Sequence, residues 1–336
     1  MKAYARAGVD IDLGNRLKHR IQSLVRQTHG PQVLGKIGGF GGLFRPNFSG
    51  CKDPVLVASI DGVGTKLKIA FALNKHDTVG ADLVNHCVND IAVVGARPLF
   101  FLDYIGCEKL RPAVFEQLLK GFSRACRLAG CALIGGETAQ LPGMYRTGEY
   151  DLAGCIVGAV DRSQMIDGHR IKPGDIVLGL PANGLHTNGY SLARKILFDK
   201  MRLKPSSRIA GLTGTVGSEL LRVHKNYLPV LRRTPPGMLK GLAHITGGGL
   251  IDNVPRVLPK NCDAVIEVKS WRIPTIYKIL EQNGPVQQAE MYQVFNMGIG
   301  MVAIVSQQDA SRAASILKAK RIGRIDRGTG KTRLIS

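Results

Sequence analysis

Apolar residues recur along this chain in two rhythms, one suited to helices and one to strands. Leu17, Ile21, Leu24 and Val25 fall at helical spacing within residues 16–28. A β-branched run over 54–60 predicts a strand, and the pattern over 78–95 predicts a second helix. "RPLFFLDYIG" (97–106) is apolar enough for a buried strand, 111–130 predicts a helix stopped at Gly130, and "CALIGG" and "YDLAGCIVGAV" predict two further strands. After Pro173-Gly174-Asp175, a strong turn signal, the rhythm restarts. A helix follows in "GYSLARKILF", then a proline-rich connector near 234–237, a turn at "TGGGL" (246–250), and strands near 263–268 and 298–305. Strands and helices in this alternation give an α/β or α+β chain. The break falls within 161–174, so we expect domains at 1–167 and 168–336. The pattern alone leaves the sheets parallel or mixed.

Two segments depart from these rhythms. "GPQVLGKIGGFGGLFRPNFSG" (30–50) is dense in glycine and longer than most connections, and such loops tend to be functional or disordered. It lacks the third glycine of a dinucleotide fingerprint, where Phe44 stands, and no strand precedes it. A mobile lid over a ligand is the better reading. In the helix near 80–98, Val84, Cys87, Val88, Ile91 and Val94 form an apolar face, while Asp82, Asn85, His86, Asn89 and Asp90 gather opposite. A solvated face usually carries Lys and Glu; Asn, Asp and His are poor helix formers. This face therefore reads as one turned to a ligand or metal, with a plain surface helix as the alternative and His86 by itself as structural.

Composition narrows the class. The chain has 336 residues, 44% hydrophobic and 21% charged, an ordinary globular balance. No stretch has the roughly 18 apolar residues of a membrane helix, and the N-terminus lacks a signal-peptide core. We therefore expect a cytoplasmic protein without membrane contact. Seven cysteines without a C-x-x-C argue against a disulfide framework or structural zinc and read as small buried hydrophobes. The formal charge of +21 invites a nucleic-acid reading. The basic residues are spread along the chain, aromatics are 6%, and no nucleic-acid-binding motif is visible. A basic surface attracting small anions is the plainer account.

The chemistry gathers in a few stretches. In "SIDGVGTKL" an acid, two glycines, a hydroxyl and a lysine follow a strand. Gly62 and Gly64 let the backbone approach a ligand. Thr65 and Lys66 can bond phosphate oxygens, and Asp61 can hold a divalent cation. The alternative is a plain strand–turn–helix junction. "RGTGKTR" (327–333) imitates a phosphate loop, but Ile325 stands where its first glycine belongs, so it reads as an exposed basic tail. "LIGGETAQLPGMY" adds Glu137 and Thr138. Asp61, Asp90 and Glu137 would supply three carboxylates for Mg²⁺ if the fold joined them. "NGLHTNGYSL" puts His186 and Asn188 in a turn before a helix, a place for an anion.

Taken in order, "AGVDIDLGN", "GGFGGLF", "DGVGTKL", "CVNDI", "PLFFLDY", "GGETA", "LPGMY", "YDLAG", "HTNGYSL", "ITGGG", "PRVLP" and "FNMGIGM" closely resemble the phosphoribosylformylglycinamidine cyclo-ligase (AIR synthetase) family. They run from residue 7 to about 301. The resemblance implies a two-domain fold with mixed sheets and a homodimer formed by the N-terminal domains around ATP. It implies Mg·ATP-driven ring closure of formylglycinamidine ribonucleotide. It also implies roles. Asp61, Gly62, Gly64, Thr65 and Lys66 resemble the ATP-phosphate and metal loop, with Asp90 and Glu137 as further metal groups and Asn89 and Thr138 assisting. Gly38, Gly39 and Gly41 belong to the lid, and Asp61 and Lys66 count as catalytic beside His186, which contacts the reacting centre. Asn188, Gly247, Gly248 and Gly249 hold the substrate, the glycines as donors to its ribose phosphate. Two positions depart from the pattern: Gln140 where many relatives carry Glu, and Gln293 where Arg is frequent. Selenophosphate synthetase and thiamine monophosphate kinase share the ATP-site logic and stand as alternatives, with a nucleic-acid binder further off. The first Cys, Cys51, lies after the glycine loop rather than ahead of it, which speaks against the selenophosphate enzyme.

Overall fold

The computed structural model describes residues 2–35 and 37–335. They divide into two compact units, one reaching to Ile91 and resuming over Arg97–Val160, the other made of Ala92–Ala96 and the chain from Asp161 onward.

The first unit is built on a four-stranded sheet of β1 (Pro54–Gly62), β2 (Arg97–Cys107), β3 (Ala132–Gln140) and β4 (Tyr150–Asp161), in the order β1-β4-β2-β3. β2 runs parallel to β3 and antiparallel to β4, so the sheet is mixed. Strand alternation gives it two faces. Phe101 opposite Ile156 and Ile105 opposite Leu152 face inward and are buried. Leu56 and Ile60 of β1 stay exposed at 62% and 72%. Helix Ile11–Arg26 starts at Asp10, whose side chain accepts from Leu13 N–H, and buries Leu17, Ile21 and Val25, the spacing read from the sequence. Helix Pro112–Ala129 opens on proline and closes at Gly130 in the left-handed region (φ 72°), which only a residue without a Cβ adopts cheaply. This helix and helix Asp77–Ala92 touch backbone to backbone. A Cβ on Gly80 would lie 2.5 Å from the Leu118 carbonyl, and one on Gly121 would strike the Asp77 carbonyl.

The second unit carries β5 (Ile176–Pro181), β6 (Leu239–His244), β7 (Cys262–Glu267), β8 (Ile299–Val305), β9 (Lys320–Arg327) and β10 (Thr332–Ile335), in the order β10-β7-β9-β5-β8-β6. Every neighbouring pair is antiparallel except β10 with β7. β8 is buried along its whole length and forms the core.

Three expectations need correction. The helix in 189–198 begins at Tyr190 and passes at Lys195 into a π-helical turn. The helix near 78–95 ends at Ala92. "RGTGKTR" keeps its basic side chains exposed, as expected, but is no tail, for it leads into a sheet strand. Asp263 Oδ1 accepts the N–H groups of Thr329 (2.7 Å) and Lys331 (2.9 Å), which fixes the turn and sets β10 in register with β7. Those amides hold the Asp263 carboxyl below the usual carboxylate range.

Candidate active site

In the first unit β1 ends in a turn rather than running on. Gly62 packs against β4, where a Cβ would come 3.2 Å from the Leu152 carbonyl. Gly64 then takes a positive φ (66°), and a single 3₁₀ turn, Gly64–Lys66, leads into helix Leu67–Leu73. Asp61 sits at the bend. Its carboxylate accepts from Gly62 N–H (2.6 Å) and lies 2.9 Å from His86 Nε2, while its side chain keeps 39% of its exposure. Burial pushes the Asp61 pKa up, but His86 and the Gly62 amide outweigh that and the net shift is downward. Burial likewise opposes a charged His86, yet Asp61, then Asp90 and Asp82, raise its pKa overall. A carboxylate that is ionised, oriented and still open to solvent can accept a hard cation.

Lys66 occupies a different environment. Its Nζ lies 2.8 Å from Asp82 Oδ2, and neither side chain is exposed. Burial lowers the Lys66 pKa against the pull of Asp82. The polar face of helix Asp77–Ala92 is thus not a surface: Asp82, Asn85, His86 and Asn89 are all buried. Asp90, half-buried, accepts from Ser59 Oγ of β1 at 3.1 Å. Asp61 and Asp90 therefore lie together around the end of β1. Glu137 does not join them within this sheet. It lies on β3, opposite Tyr104, and β4 and β2 intervene between β3 and β1, three strand spacings or about 14 Å. Thr138 follows it, opposite Ile105. Gly38, Gly39 and Gly41 are exposed, at the tip of a loop pinched at its neck by Leu34 N–H to the Leu43 carbonyl (2.9 Å) and Arg45 N–H to the Gln32 carbonyl (2.7 Å).

In the second unit His186 stands in the left-handed region (φ 62°), uncommon for a residue with a Cβ and typical of constrained sites. Its ring is buried and stacks on His224, centroids 4.1 Å apart and planes at 22°. Asn188 reaches toward the glycine turn: a Cβ on Gly247 would lie 3.2 Å from Asn188 Oδ1. The turn itself is sewn by Asn253, whose Nδ2 donates to the carbonyls of Gly247 (3.2 Å) and Gly249 (2.8 Å). Gly249 N–H bonds the Thr246 carbonyl (3.0 Å), and a Cβ there would strike the Tyr292 carbonyl. Gly249 accordingly serves packing, and Gly247 and Gly248 carry the candidate anion donors.

The structure gives several groups partners that the local sequence does not mark. Asp82 answers Lys66 from sixteen residues along the chain. His224 sits in the mixed stretch "LRVHKNYL" and His244 at the end of an apolar run in "GLAHITG", and neither is close in sequence to His186. Both departures find partners. Gln140 Oε1 accepts from Asp10 N–H (3.3 Å) and its Nε2 donates to the Asp10 carbonyl (3.2 Å), a match for a backbone amide that Glu, without a donor, cannot make. Gln293 Nε2 donates to Asp252 Oδ2 (2.9 Å) beside the glycine turn.

Comparison with known proteins adds identity to geometry. Residues 50–160 match the AIR synthase related protein N-terminal domain, and residues 172–335 its C-terminal domain. The phosphoribosylformylglycinamidine cyclo-ligase of Syntrophotalea carbinolica is 54% identical over 308 residues, 91% of this chain and 88% of that protein. Those of Anaeromyxobacter sp. and Syntrophus aciditrophicus are 52% and 48% identical, covering 98% and 99% of this chain and 97% and 98% of theirs. Among solved structures, thiamine-monophosphate kinase from Stenotrophomonas maltophilia superposes with a TM-score of 0.69 over 97% of this chain and 96% of that one, at 18% identity. Hydrogenase maturation protein HypE in complex with ATP gives 0.66 over 94% and 90%, also at 18% identity. At that identity the likeness is one of fold.

Proposed function

The chain belongs to the AIR synthase related family, and from that premise we propose that it closes formylglycinamidine ribonucleotide to 5-aminoimidazole ribonucleotide, releasing ADP and phosphate, in purine biosynthesis. The observation that carries this reading is the run of relatives named for that reaction, 48–54% identical across nearly the whole chain. Neither a kinase nor a nucleic-acid binder is favoured beside them.

ATP supplies the phosphoryl group that turns the formyl oxygen into a leaving group. The substrate's own nitrogen then attacks the activated carbon, the carbon–oxygen bond breaks, and phosphate departs. Such chemistry asks the protein for positioning and charge stabilisation more than for a nucleophile. Asp61 and Asp90 fit Mg²⁺, which is held by one or two carboxylates together with phosphates and water. Asp61 suits the task by its open carboxylate, and His86 behind it fixes the carboxylate's orientation. Gly62, Gly64 and Thr65 offer the phosphates a close backbone and a hydroxyl, with Asn89 in support; Thr138, on β3 beside Glu137, would assist only from a second copy. Lys66 holds this loop from behind through Asp82. On the substrate side Asn188, Gly247 and Gly248 receive the ribose phosphate, and His186 faces the reacting centre. The glycine tip at 38–41 covers the nucleotide.

The exposed apolar face of the first sheet, with Leu56 and Ile60, is where a second copy would pair, and pairing would give Glu137 a site to join. No helix among the described residues is long and apolar enough to cross a membrane, and we place the enzyme in the cytoplasm. The test is ADP release with Mg·ATP and formylglycinamidine ribonucleotide, read beside the diazotisable amine of the product. One ADP per product is expected, with Asp61→Asn at least 100-fold slower. ADP without product, or neither from folded protein, overturns the reading.

A further inference from the structure

At the His186 turn of the second unit lies a buried chain of three imidazoles. His186, His224 and His244 are 1%, 0% and 6% exposed. The His224 ring stacks on His186; its Nδ1 lies 3.3 Å from Thr187 Oγ1, and its Nε2 lies 2.9 Å from His244 Nε2. Gly300 lies against His186, since a Cβ there would strike His186 Cε1 and the Tyr227 hydroxyl. Tyr227 is itself held by the Pro181 carbonyl at 3.1 Å. The ring of His186 is thus packed against His224 and against a backbone that carries no side chain.

Three histidines in reach of one another suggest a metal centre, but two features of the geometry speak against it. The lone pairs of an imidazole lie in its plane, and rings stacked at 22° do not aim them at one point. The 2.9 Å contact between two ring nitrogens is that of a shared proton.

We propose that His224 is a positioning residue that fixes the turn His186–Asn188 in its working geometry, with His244 setting its tautomer. A neutral imidazole donates at one nitrogen and accepts at the other. If His244 donates to His224 Nε2, then His224 Nδ1–H donates to Thr187, and the Thr187 hydroxyl proton is turned away from His224. If His224 donates to His244, Thr187 must donate back to Nδ1. One proton choice 20 residues away in sequence therefore decides what Thr187 presents in the turn. Asn188 Nδ2, 3.4 Å from Thr187 Oγ1, shares the same arrangement. The proposal rests on the reading of this turn as the substrate side of the reaction.

The experiment uses the whole enzyme. Asn places its amide where His carries Nδ1, and Gln places it where His carries Nε2. His224→Phe, which keeps the stack and loses both hydrogen bonds, is expected to lower kcat about 10- to 100-fold with KM within threefold. His224→Asn should regain most of that loss, and His224→Gln little of it. Thr187→Val should match His224→Phe, and the double variant should be no slower than either. Ring ¹⁵N spectra of the unliganded wild type should show His224 in one neutral tautomer, and Thr187→Val should shift it. Wild-type kcat in His224→Phe, equal rescue by Asn and Gln, or an unmoved His224 signal in Thr187→Val each overturns the proposal. So does stoichiometric zinc that His224→Phe removes. If His224→Phe does not fold, Thr187→Val carries the same test. If the wild type makes no product, the functional reading falls, and the ¹⁵N comparison still decides this one.

Discussion

Helix Asp77–Ala92 in the first unit sets acid against base, whereas the turn at His186 in the second sets one imidazole ring against another. Asp82 and His86, on neighbouring turns of this helix, face Lys66 and Asp61 of the loop after β1 at 2.8 and 2.9 Å. His224 and His244 are joined by a hydrogen bond between rings. The two arrangements fail differently. A buried charge has no good state once its partner is gone, because desolvation is no longer offset. A buried imidazole that loses a partner leaves one polar nitrogen unsatisfied, a smaller penalty. The first design therefore suits a site that must hold phosphates and a cation without rearranging, and the second a site whose donors and acceptors can exchange places.

The comparison is broken most directly at Asp82. Asp82→Ala strands Lys66, and we expect a loss of about 3–5 kcal/mol in chemical denaturation. Lys66→Met with Asp82→Leu should recover most of it, since a well-packed apolar pair can replace a buried salt bridge. If the single variant loses less than about 1 kcal/mol, the pair does not hold the helix in place. In the second unit His244→Phe should cost roughly 1–3 kcal/mol by the same assay, clearly less than Asp82→Ala. Equal losses would erase the distinction. Gln140→Glu sharpens it from the side of the first unit, where a neutral amide rather than a charge ties helix Ile11–Arg26 to β3. It exchanges the donor that serves the Asp10 carbonyl for an acceptor, and should lower stability by about 1 kcal/mol. A Gln140→Met control should lose a similar amount.

Much of the architecture was legible because it is written locally. Pro112 and Gly130 bracket a helix by their own backbone preferences, and Leu17, Ile21 and Val25, four residues apart, form the face that the helix buries. The loop around Asp61 was legible for the same reason, as a strand, two glycines and a turn contiguous in the chain. The polar face of helix Asp77–Ala92 was visible as unusual, but its burial was not, since burial is made by partners elsewhere. Lys66 pointed to phosphate until Asp82 was placed beside it. His224 and His244 left no trace, because 38 and 58 residues separate them from His186 and a lone histidine is unremarkable. The tail at 327–333 misled because a basic, glycine-rich stretch looks solvated until Asp263 gathers its amides.

Gly80 and Gly121 meet where two helices cross, with only hydrogen atoms between their backbones. The same helix that Gly80 belongs to bears Asp82, His86 and Asp90. An inherited change to alanine at either crossing point would lift that helix from its bed and displace three functional groups at once, though it alters none of them. In a population of sequences such damage would present as loss of activity mapped to a residue with no chemistry. Its suppressors would be sought in vain near the nucleotide. They would lie on the opposite helix, in whatever smaller or shifted neighbour lets the two backbones close again.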